Sequence, residues 1–363
     1  MTKKNLNNLR RKIDAFDQQL VRILNRRASA ALTIGKIKNV SRSETYVPAR
    51  EKAIMNNIAR VNRGPLPSSA LMAIYREIMS ASLALEKNIR VAYMGPKASF
   101  SHQAALRRFG KSVGYLPCET IDEVFERVQR KEADYGVVPV ENSTEGAVTN
   151  TLDCLAENEL KICAEIYQPI AHYLLASGTR AGIRRVISNP NVLGQCRKWL
   201  RGEMPDVELV EVASTTRAAE MAAKDKHAAA IAGRLAAEVY HLNILNADIQ
   251  DVSGNMTHFL VIGKSFGNKT GDDKTSILFS VKHQAGSLHR ALGSLKKYGL
   301  NMTKIESRPS RQKAWEYLFF VDIEGHVQDE NVRRAMRDLS KHCQLLTILG
   351  SYPKAIEFEK REA

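Results

Sequence analysis

No proline occurs before Pro48, and within that stretch Leu6, Leu9, Ile13, Phe16, Leu20, Ile23 and Leu24 recur at helical spacing. An uninterrupted apolar stripe of this period predicts one long amphipathic helix. Such a helix cannot bury its stripe alone. Two shorter helical patterns follow, at 48–62 and 67–87, with Pro65 and Pro67 marking the turn between them. Three helices of such unequal length make a poor core for a single copy, which favours an intertwined dimer.

Arg10, Arg27 and Lys38 all fall on the long helix. At about 1.5 Å per residue, Arg10 and Arg27 stand roughly 25 Å apart along the axis, whereas Arg27 and Lys38 differ by about three turns and share a face. If all three cations serve one small anion, Arg10 comes from a second chain. Residues 1–90 hold 18 Lys and Arg against 6 Asp and Glu, residues 91–270 hold 20 against 21, and residues 271–363 hold 16 against 12. The formal net charge of +15 therefore belongs mainly to the helical segment. A solvated basic face is one reading of this, and a surface for nucleic acid or anionic membrane is another. The cations are spread over three helices, with only Phe16, Tyr46 and Tyr75 as aromatic neighbours. That favours a pocket for a small polyanion, with neither nucleic acid nor membrane as partner.

A length of 363 residues suggests two or three domains. No apolar run approaches the ~18 residues of a membrane span, and the opening MTKKNLNNLRRK lacks the apolar core of a signal peptide. The five cysteines, Cys118, Cys154, Cys163, Cys196 and Cys343, are odd in number and form no CxxC or Cys/His cluster. They are expected to be reduced thiols in a cytoplasmic protein without a metal site.

From about residue 90, short apolar strands alternate with helical stretches: 90–95, 135–142, 184–190, 207–214, 228–233 and 258–263 read as strands. This is an α/β pattern, with two lobes if the long segment 160–177 crosses between them. Several strand-to-helix junctions carry groups suited to anions. Gly95 to His102, with Ser99 and Ser101, opens a helix, and Ser214-Thr215 repeats the arrangement; taken singly, each also suits an ordinary N-cap. The turn Glu141-Asn142-Ser143-Thr144-Glu145-Gly146 concentrates polar groups after an apolar strand, where α/β proteins bind ligands. After the polar stretch 267–275, the pattern strand 275–281, helix 285–298, strands 300–307 and 315–325, helix 328–341 and strand 344–352 predicts a ferredoxin-like βαββαβ unit.

Taken together, these residues resemble the bifunctional chorismate mutase/prephenate dehydratase family of phenylalanine biosynthesis over almost the whole chain. The resemblance rests on Leu9-Arg10-Arg11-Lys12-Ile13, Arg26-Arg27, Gly35-Lys36-Ile37-Lys38 and Arg50-Glu51, then on GPKASFSHQAA (95–105), PVENSTEGAV (139–148), Gln195-Cys196 and Asn255-Met256-Thr257-His258-Phe259. It continues through Ala285-Gly286-Ser287-Leu288 and Glu306-Ser307-Arg308-Pro309, which are similar to an ACT regulatory module. The implied architecture is multidomain: an all-α three-helix mutase module (1–89), a two-lobed α/β dehydratase module (90–267) and an α+β ACT module (274–354).

The resemblance implies that Arg27 and the partner's Arg10 bind carboxylates of chorismate, and that Lys38 meets a carboxylate and the ether oxygen. Arg50 and Glu51 would order the hydroxyl end, with Ser82 and Glu86 completing the pocket. Thr257 would donate a hydrogen bond to the hydroxyl that prephenate loses, with Asn142 and Gln195 orienting the substrate and Ser99, Ser101, Ser143, Ser214, Thr215, His258 and Phe259 as further contacts. Phenylalanine would bind as effector at Gly286, Ser287, Leu288, Asn301, Glu306, Ser307, Arg308 and Pro309. No cofactor or metal is implied. Val47, Glu86, Asn189 and His258 depart from the family pattern, which often has an acidic residue, glutamine, histidine and arginine there. Glu86 is expected to work protonated. His258 either binds prephenate or faces away from the cleft. An arogenate-preferring dehydratase, a non-catalytic amino-acid sensor and a basic nucleic-acid-binding regulator are the competing readings.

Overall fold

The computed structural model describes residues 3–41, 46–310 and 317–355, which fall into two compact units. The first comprises residues up to Val47, Ile54–Arg90 and Phe109–Gly114. Its helix α1 (Lys3–Ser41) runs 39 residues, about 58 Å at the usual rise. The later turns of α2 (Pro48–Val61) and all of α3 (Ser68–Glu86) complete its helices. Pro48 opens α2, where its missing N–H costs no intrahelical bond. α1 packs along α3. Yet Leu6, Leu9, Ile13, Phe16, Leu20 and Ile23 are 49–64% exposed, so the predicted stripe forms and stays uncovered within one copy.

The second unit holds Pro48–Ala53, Val91–Arg108 and everything from Tyr115 onward. Its first lobe contains β1 (Arg90–Met94), α4 (Phe100–Phe109), β2 (Gly114–Cys118), α5 (Ile121–Gln129), β3 (Tyr135–Asn142), β4 (Gly146–Ala147), α6 (Thr149–Glu157) and β5 (Lys161–Pro169). The second lobe contains β6 (Tyr173–Ala176), β7 (Arg185–Ser188), α7 (Pro190–Gln195), α8 (Arg197–Glu203), β8 (Glu208–Glu211), α9 (Thr215–Ala223), β9 (Ala228–Ala232), α10 (Arg234–Tyr240) and β10 (Asn243–Asn246). The chain then returns to the first lobe as β11 (Met256–Gly263). The first sheet is ordered β2-β1-β3-β11-β5, with β4 paired to β3, and the second β10-β6-β9-β7-β8. Segment 160–177 does cross between the sheets, and 247–255 crosses back. β9, Ala-Ala-Ala-Ile-Ala, is buried along its whole length, as a central strand covered on both faces should be.

The C-terminal part is β12 (Asp273–Ser280), α11 (Ser287–Lys297), β13 (Met302–Pro309), β14 (Tyr317–Glu324), α12 (Glu330–Ser340) and β15 (Leu345–Pro353), the expected βαββαβ order. Trp315 and Glu316, at the start of the predicted fourth element, lie outside the described residues. The sheet is antiparallel, ordered β13-β14-β12-β15. It does not stand apart from the first lobe: Leu278, Phe320, Leu349 and Tyr352 share one buried cluster with Val138, Leu152, Ile162 and Leu260. β15 lies so close to β5 that a Cβ on Gly350 would collide with the Ile162 carbonyl.

Candidate active sites

In the helical unit, Arg27 Nη1 donates to Ser82 Oγ at 2.6 Å, and Ser82 Oγ donates to the Ile78 carbonyl at 2.8 Å. Lys38 Nζ forms an ion pair with Glu86 Oε2 at 3.3 Å. The two cations start about 16 Å apart along α1 and end on partners about 6 Å apart along α3, so their heads converge. Gly35 permits this approach, because a Cβ there would stand 3.0 Å from Glu86 Cγ. Glu86 thus holds the cation expected to meet the ether oxygen. Arg10 lies on the exposed part of α1.

Arg50 and Glu51 open α2 in the second unit. Arg50 is exposed, and Glu51 Oε2 pairs with Arg108 Nη2 of α4 at 2.9 Å. The adjacent Lys52, which sequence reasoning missed, is buried and donates to Asp272 Oδ2 at 2.7 Å and to the Lys354 carbonyl at 3.0 Å. A lysine among surface charges gives no signal of such a role.

Asn142, at the end of β3, is the hub of a polar cluster that includes Thr257. Its Oδ1 accepts from the N–H groups of Thr144 at 2.9 Å and Glu145 at 3.1 Å. That fixes the amide's orientation and directs Nδ2 to Thr257 Oγ1 at 2.8 Å and to Asn255 Oδ1 at 2.9 Å. Ser143 and Met256 exchange two hydrogen bonds across the same turn, Ser143 N–H to the Met256 carbonyl at 2.9 Å and Met256 N–H to Ser143 Oγ at 3.0 Å. The buried Thr257 hydroxyl thus accepts from Asn142 and keeps its own proton to donate.

Gln195 ends α7 and meets His172 on the first crossing, Oε1 to Nε2 at 2.8 Å. An amide oxygen only accepts, so Nε2 carries the proton. Burial lowers the His172 pKa and outweighs the opposing effect of the hydrogen bond it donates to Gln195. Both crossings are pinned here: His172 N–H donates to Gln250 Oε1 at 2.9 Å, Ile249 N–H to the His172 carbonyl at 3.0 Å, and Asp251 N–H to the Gln195 carbonyl at 2.7 Å. His172 was not singled out from sequence; its position between two strands was the available signal.

At the 95–102 turn, Ala98 has φ +73° and donates its N–H to His102 Nδ1 at 3.1 Å. Burial, then the charge of Lys97, lowers the His102 pKa to about 4, so the ring is neutral and Nδ1 can accept. Ser99 Oγ accepts from His102 N–H at 3.2 Å and donates to the Met94 carbonyl at 3.4 Å. It is therefore taken up as a cap rather than left for a carboxylate, while Ser101 is buried in α4. Ser214 Oγ caps α9 by accepting from Arg217 N–H at 3.1 Å, which leaves its proton available; Thr215 follows it. Asn189 caps α7 and donates to the Ala213 carbonyl at 3.1 Å.

His258 requires a correction. Neighbours on a strand face opposite ways, and His258 points away from Thr257, stacking on Tyr167 with centroids 4.5 Å apart and bonding Glu165 Oε2 at 3.1 Å. It takes the second of the two readings and is not on the Thr257 face. Phe259 is buried inside β11. Glu165 also receives Lys274 Nζ of β12 at 2.6 Å and the Ala355 N–H at 2.9 Å. Burial alone would raise the Glu165 pKa, but the His258 hydrogen bond and the Lys274 charge outweigh it and hold the carboxyl far below the usual range. A depressed carboxyl contributes stability that is present above its unfolded pKa of about 4.3 and is lost as pH falls toward its folded value. Glu165→Gln removes the carboxylate that pairs with buried Lys274, so urea unfolding at neutral pH should show a loss of up to about 3–5 kcal/mol, with a weaker acid dependence than the parent. Coincident unfolding curves would show that the pair adds nothing.

In the C-terminal part, Gly286 has φ +78° and caps α11, a conformation glycine adopts without penalty. Ser287 Oγ accepts from Arg290 Nη2 at 3.1 Å, Leu288 packs against the local core, and Asn301 Nδ2 donates to Glu324 Oε2 at 3.2 Å. Glu306, Ser307, Arg308 and Pro309 lie on β13, the outer strand. Arg308 Nη2 pairs with Asp153 Oδ2 of α6 at 3.0 Å, so this part of the expected effector wall is tied to the first lobe.

Converging cations on paired helices, a hydroxyl donor where two lobes are joined and an appended βαββαβ unit define a multi-module enzyme. Comparison with known proteins specifies it further. Residues 9–87 match the family model of chorismate mutase type II, residues 91–266 that of prephenate dehydratase and residues 275–341 that of the ACT domain. The bifunctional chorismate mutase/prephenate dehydratase of Aquifex aeolicus is 51% identical over 97% of this chain and 98% of its own. Among solved structures, a prephenate dehydratase from Arthrobacter aurescens in complex with L-Phe is 32% identical with a TM-score of 0.67, covering 73% of this chain and 90% of that one. GqqA, described as a novel type of quorum quenching acylase, is 30% identical with a TM-score of 0.68, covering 74% and 99%. The chain belongs to the family of bifunctional chorismate mutase/prephenate dehydratases.

Proposed function

We propose that this chain rearranges chorismate to prephenate in its helical unit and converts prephenate to phenylpyruvate at the cluster around Thr257, under feedback by phenylalanine at its C-terminal unit. The observation that carries the reading is the hydrogen bond from Asn142 to Thr257, which leaves the threonine proton free to be donated.

The first reaction is pericyclic and needs no nucleophile. Catalysis lies in holding the dicarboxylate in a reactive chair and meeting the negative charge that develops on the ether oxygen. Arg27, steadied by Ser82, takes a carboxylate, and Lys38 takes a carboxylate and the ether oxygen once Glu86 is protonated. The exposed α1 stripe and the distance from Arg10 to Arg27 support a homodimer in which Arg10 acts across the interface. Mutase turnover should fall as pH rises, and Glu86→Gln should flatten that fall. Chorismate consumption by both proteins across about pH 5 to 9 is the check; parallel profiles would remove the Glu86 proton from the scheme.

In the second reaction the bond from the ring to its carboxylate breaks, releasing carbon dioxide, and its electron pair enters the ring. The carbon–oxygen bond breaks with its pair on oxygen, which takes up a proton and leaves as water. Aromatisation supplies the driving force. Thr257 donates to the departing oxygen; its hydroxyl is a weak acid, so it acts as a hydrogen-bond donor rather than a titrating group. Gln195, held by His172, and Asn142 orient the substrate, with Ser214 and Thr215 at its carboxylates; Ser143, whose hydroxyl donates to Asn255 Oδ1 at 3.3 Å, braces the turn beside them. Biosynthetic steps of this kind support a cytoplasmic location.

The test is full-length protein with chorismate alone, following prephenate and phenylpyruvate with and without phenylalanine. Phenylpyruvate that forms and is suppressed by phenylalanine is expected. Prephenate that accumulates unchanged would overturn the dehydratase assignment, and arogenate would then be tried as substrate.

A further inference from the structure

Gln168 of β5 lies directly opposite Thr257 of β11, and Asn142 of β3 lies opposite Thr257 on its other side. Opposed residues of antiparallel strands project to the same face with Cβ atoms about 5 Å apart. Three polar side chains therefore form a row across the sheet, next to both crossings between the lobes. Asn142 and Thr257 are bonded to each other. Gln168 Nε2 donates to the Pro169 carbonyl at 2.9 Å, which fixes the amide and turns Oε1 away from that carbonyl. Gln168 is only 3% exposed, and its Oε1 has no hydrogen-bond partner among the described residues. Burying an amide oxygen unpaired is destabilising, and an apolar residue of the same size would avoid it.

An acceptor needs a donor. At neutral pH the carboxylates and ketone of prephenate are all acceptors, and its one donor is the ring hydroxyl that the reaction removes. We propose that Gln168 orients this leaving group: its Oε1 accepts the hydroxyl's own hydrogen, which turns an oxygen lone pair toward the Thr257 proton. The inference rests on the dehydratase reading above. The oxygen departs with the hydrogen it already carries and with one proton delivered through Thr257 and replaced from solvent. Gln168 neither gains nor loses a proton.

The test uses full-length Gln168→Met and Gln168→Glu with prephenate as substrate, beside the parent and Thr257→Val. Methionine keeps the length and removes the acceptor, so kcat should fall about 10- to 100-fold while KM stays within about threefold. A protonated glutamate reproduces both bonds, its O–H donating to the Pro169 carbonyl and its C=O accepting from substrate. Gln168→Glu should therefore turn over at acidic pH and lose activity as pH rises, along a limb the parent lacks. A Met variant with the parent's kcat, or with only KM changed, would overturn the assignment. So would a Glu variant that follows the parent's pH profile or is inactive throughout. If the Met protein does not fold, the Glu profile decides. A parent that makes no phenylpyruvate would sink the dehydratase reading itself, whereas active parent and impaired Thr257→Val beside an unimpaired Met variant would sink Gln168 alone.

Discussion

Replacing Thr257 by valine is expected to lower dehydratase turnover about 10²- to 10⁴-fold, the range associated with loss of a proton-donating group, while chorismate consumption stays within about twofold. Valine keeps the β-branched shape that suits a strand, so the change removes the hydroxyl and little else. The size of the effect follows from the local wiring. Asn142 donates into Thr257 Oγ1, so the threonine keeps its hydrogen to donate, and without it the departing oxygen must leave as an unassisted hydroxide equivalent. Steady-state kinetics with prephenate measure this directly. A valine variant within threefold of the parent would mean that the proton arrives by another route.

The second large effect concerns Arg10 and Arg27. Each alanine variant alone should lose mutase activity by about 10²-fold or more, because a carboxylate left unheld lets the substrate leave its reactive chair. Mixed and allowed to exchange subunits, the two inactive proteins should recover up to about a quarter of the parent's rate. Half of the dimers are then hybrids, and each hybrid has one of its two pockets intact. This holds only if Arg10 reaches the other chain's pocket. No recovery, with subunit exchange demonstrated, would place Arg10 and Arg27 in the same pocket of one chain, against the roughly 25 Å between them along α1.

Much of this architecture was legible because its signals are periodic. The stripe from Leu6 to Leu24 specified α1, and the alternating pattern after Thr275 specified the C-terminal unit. β2 and β10 escaped notice because each is a short edge strand, one carrying Pro117 and the other bounded by Asn243 and Asn246, so neither shows a run of β-forming residues. At the site, residue types were readable and directions were not. The strand expected from His258 begins at Met256, and nothing in the local sequence says which of Thr257 and His258 faces the cleft. Only the pairing with Asn142 on one face, and with Glu165 on the other, decides it. Lys52 and His172 were missed for a similar reason: their partners are distant in sequence.

The shared cluster of Leu278, Phe320, Leu349 and Tyr352 with the first lobe, and the close seat of Gly350 on Ile162, bear on how such a protein can be engineered. The polar stretch 267–275 invites a cut that would free the enzyme from its effector. Such a cut would strip the lobe of a hydrophobic wall and leave Glu165 without Lys274, yielding an aggregation-prone fragment rather than a deregulated catalyst. Modularity written in the sequence is therefore not divisibility in the folded protein.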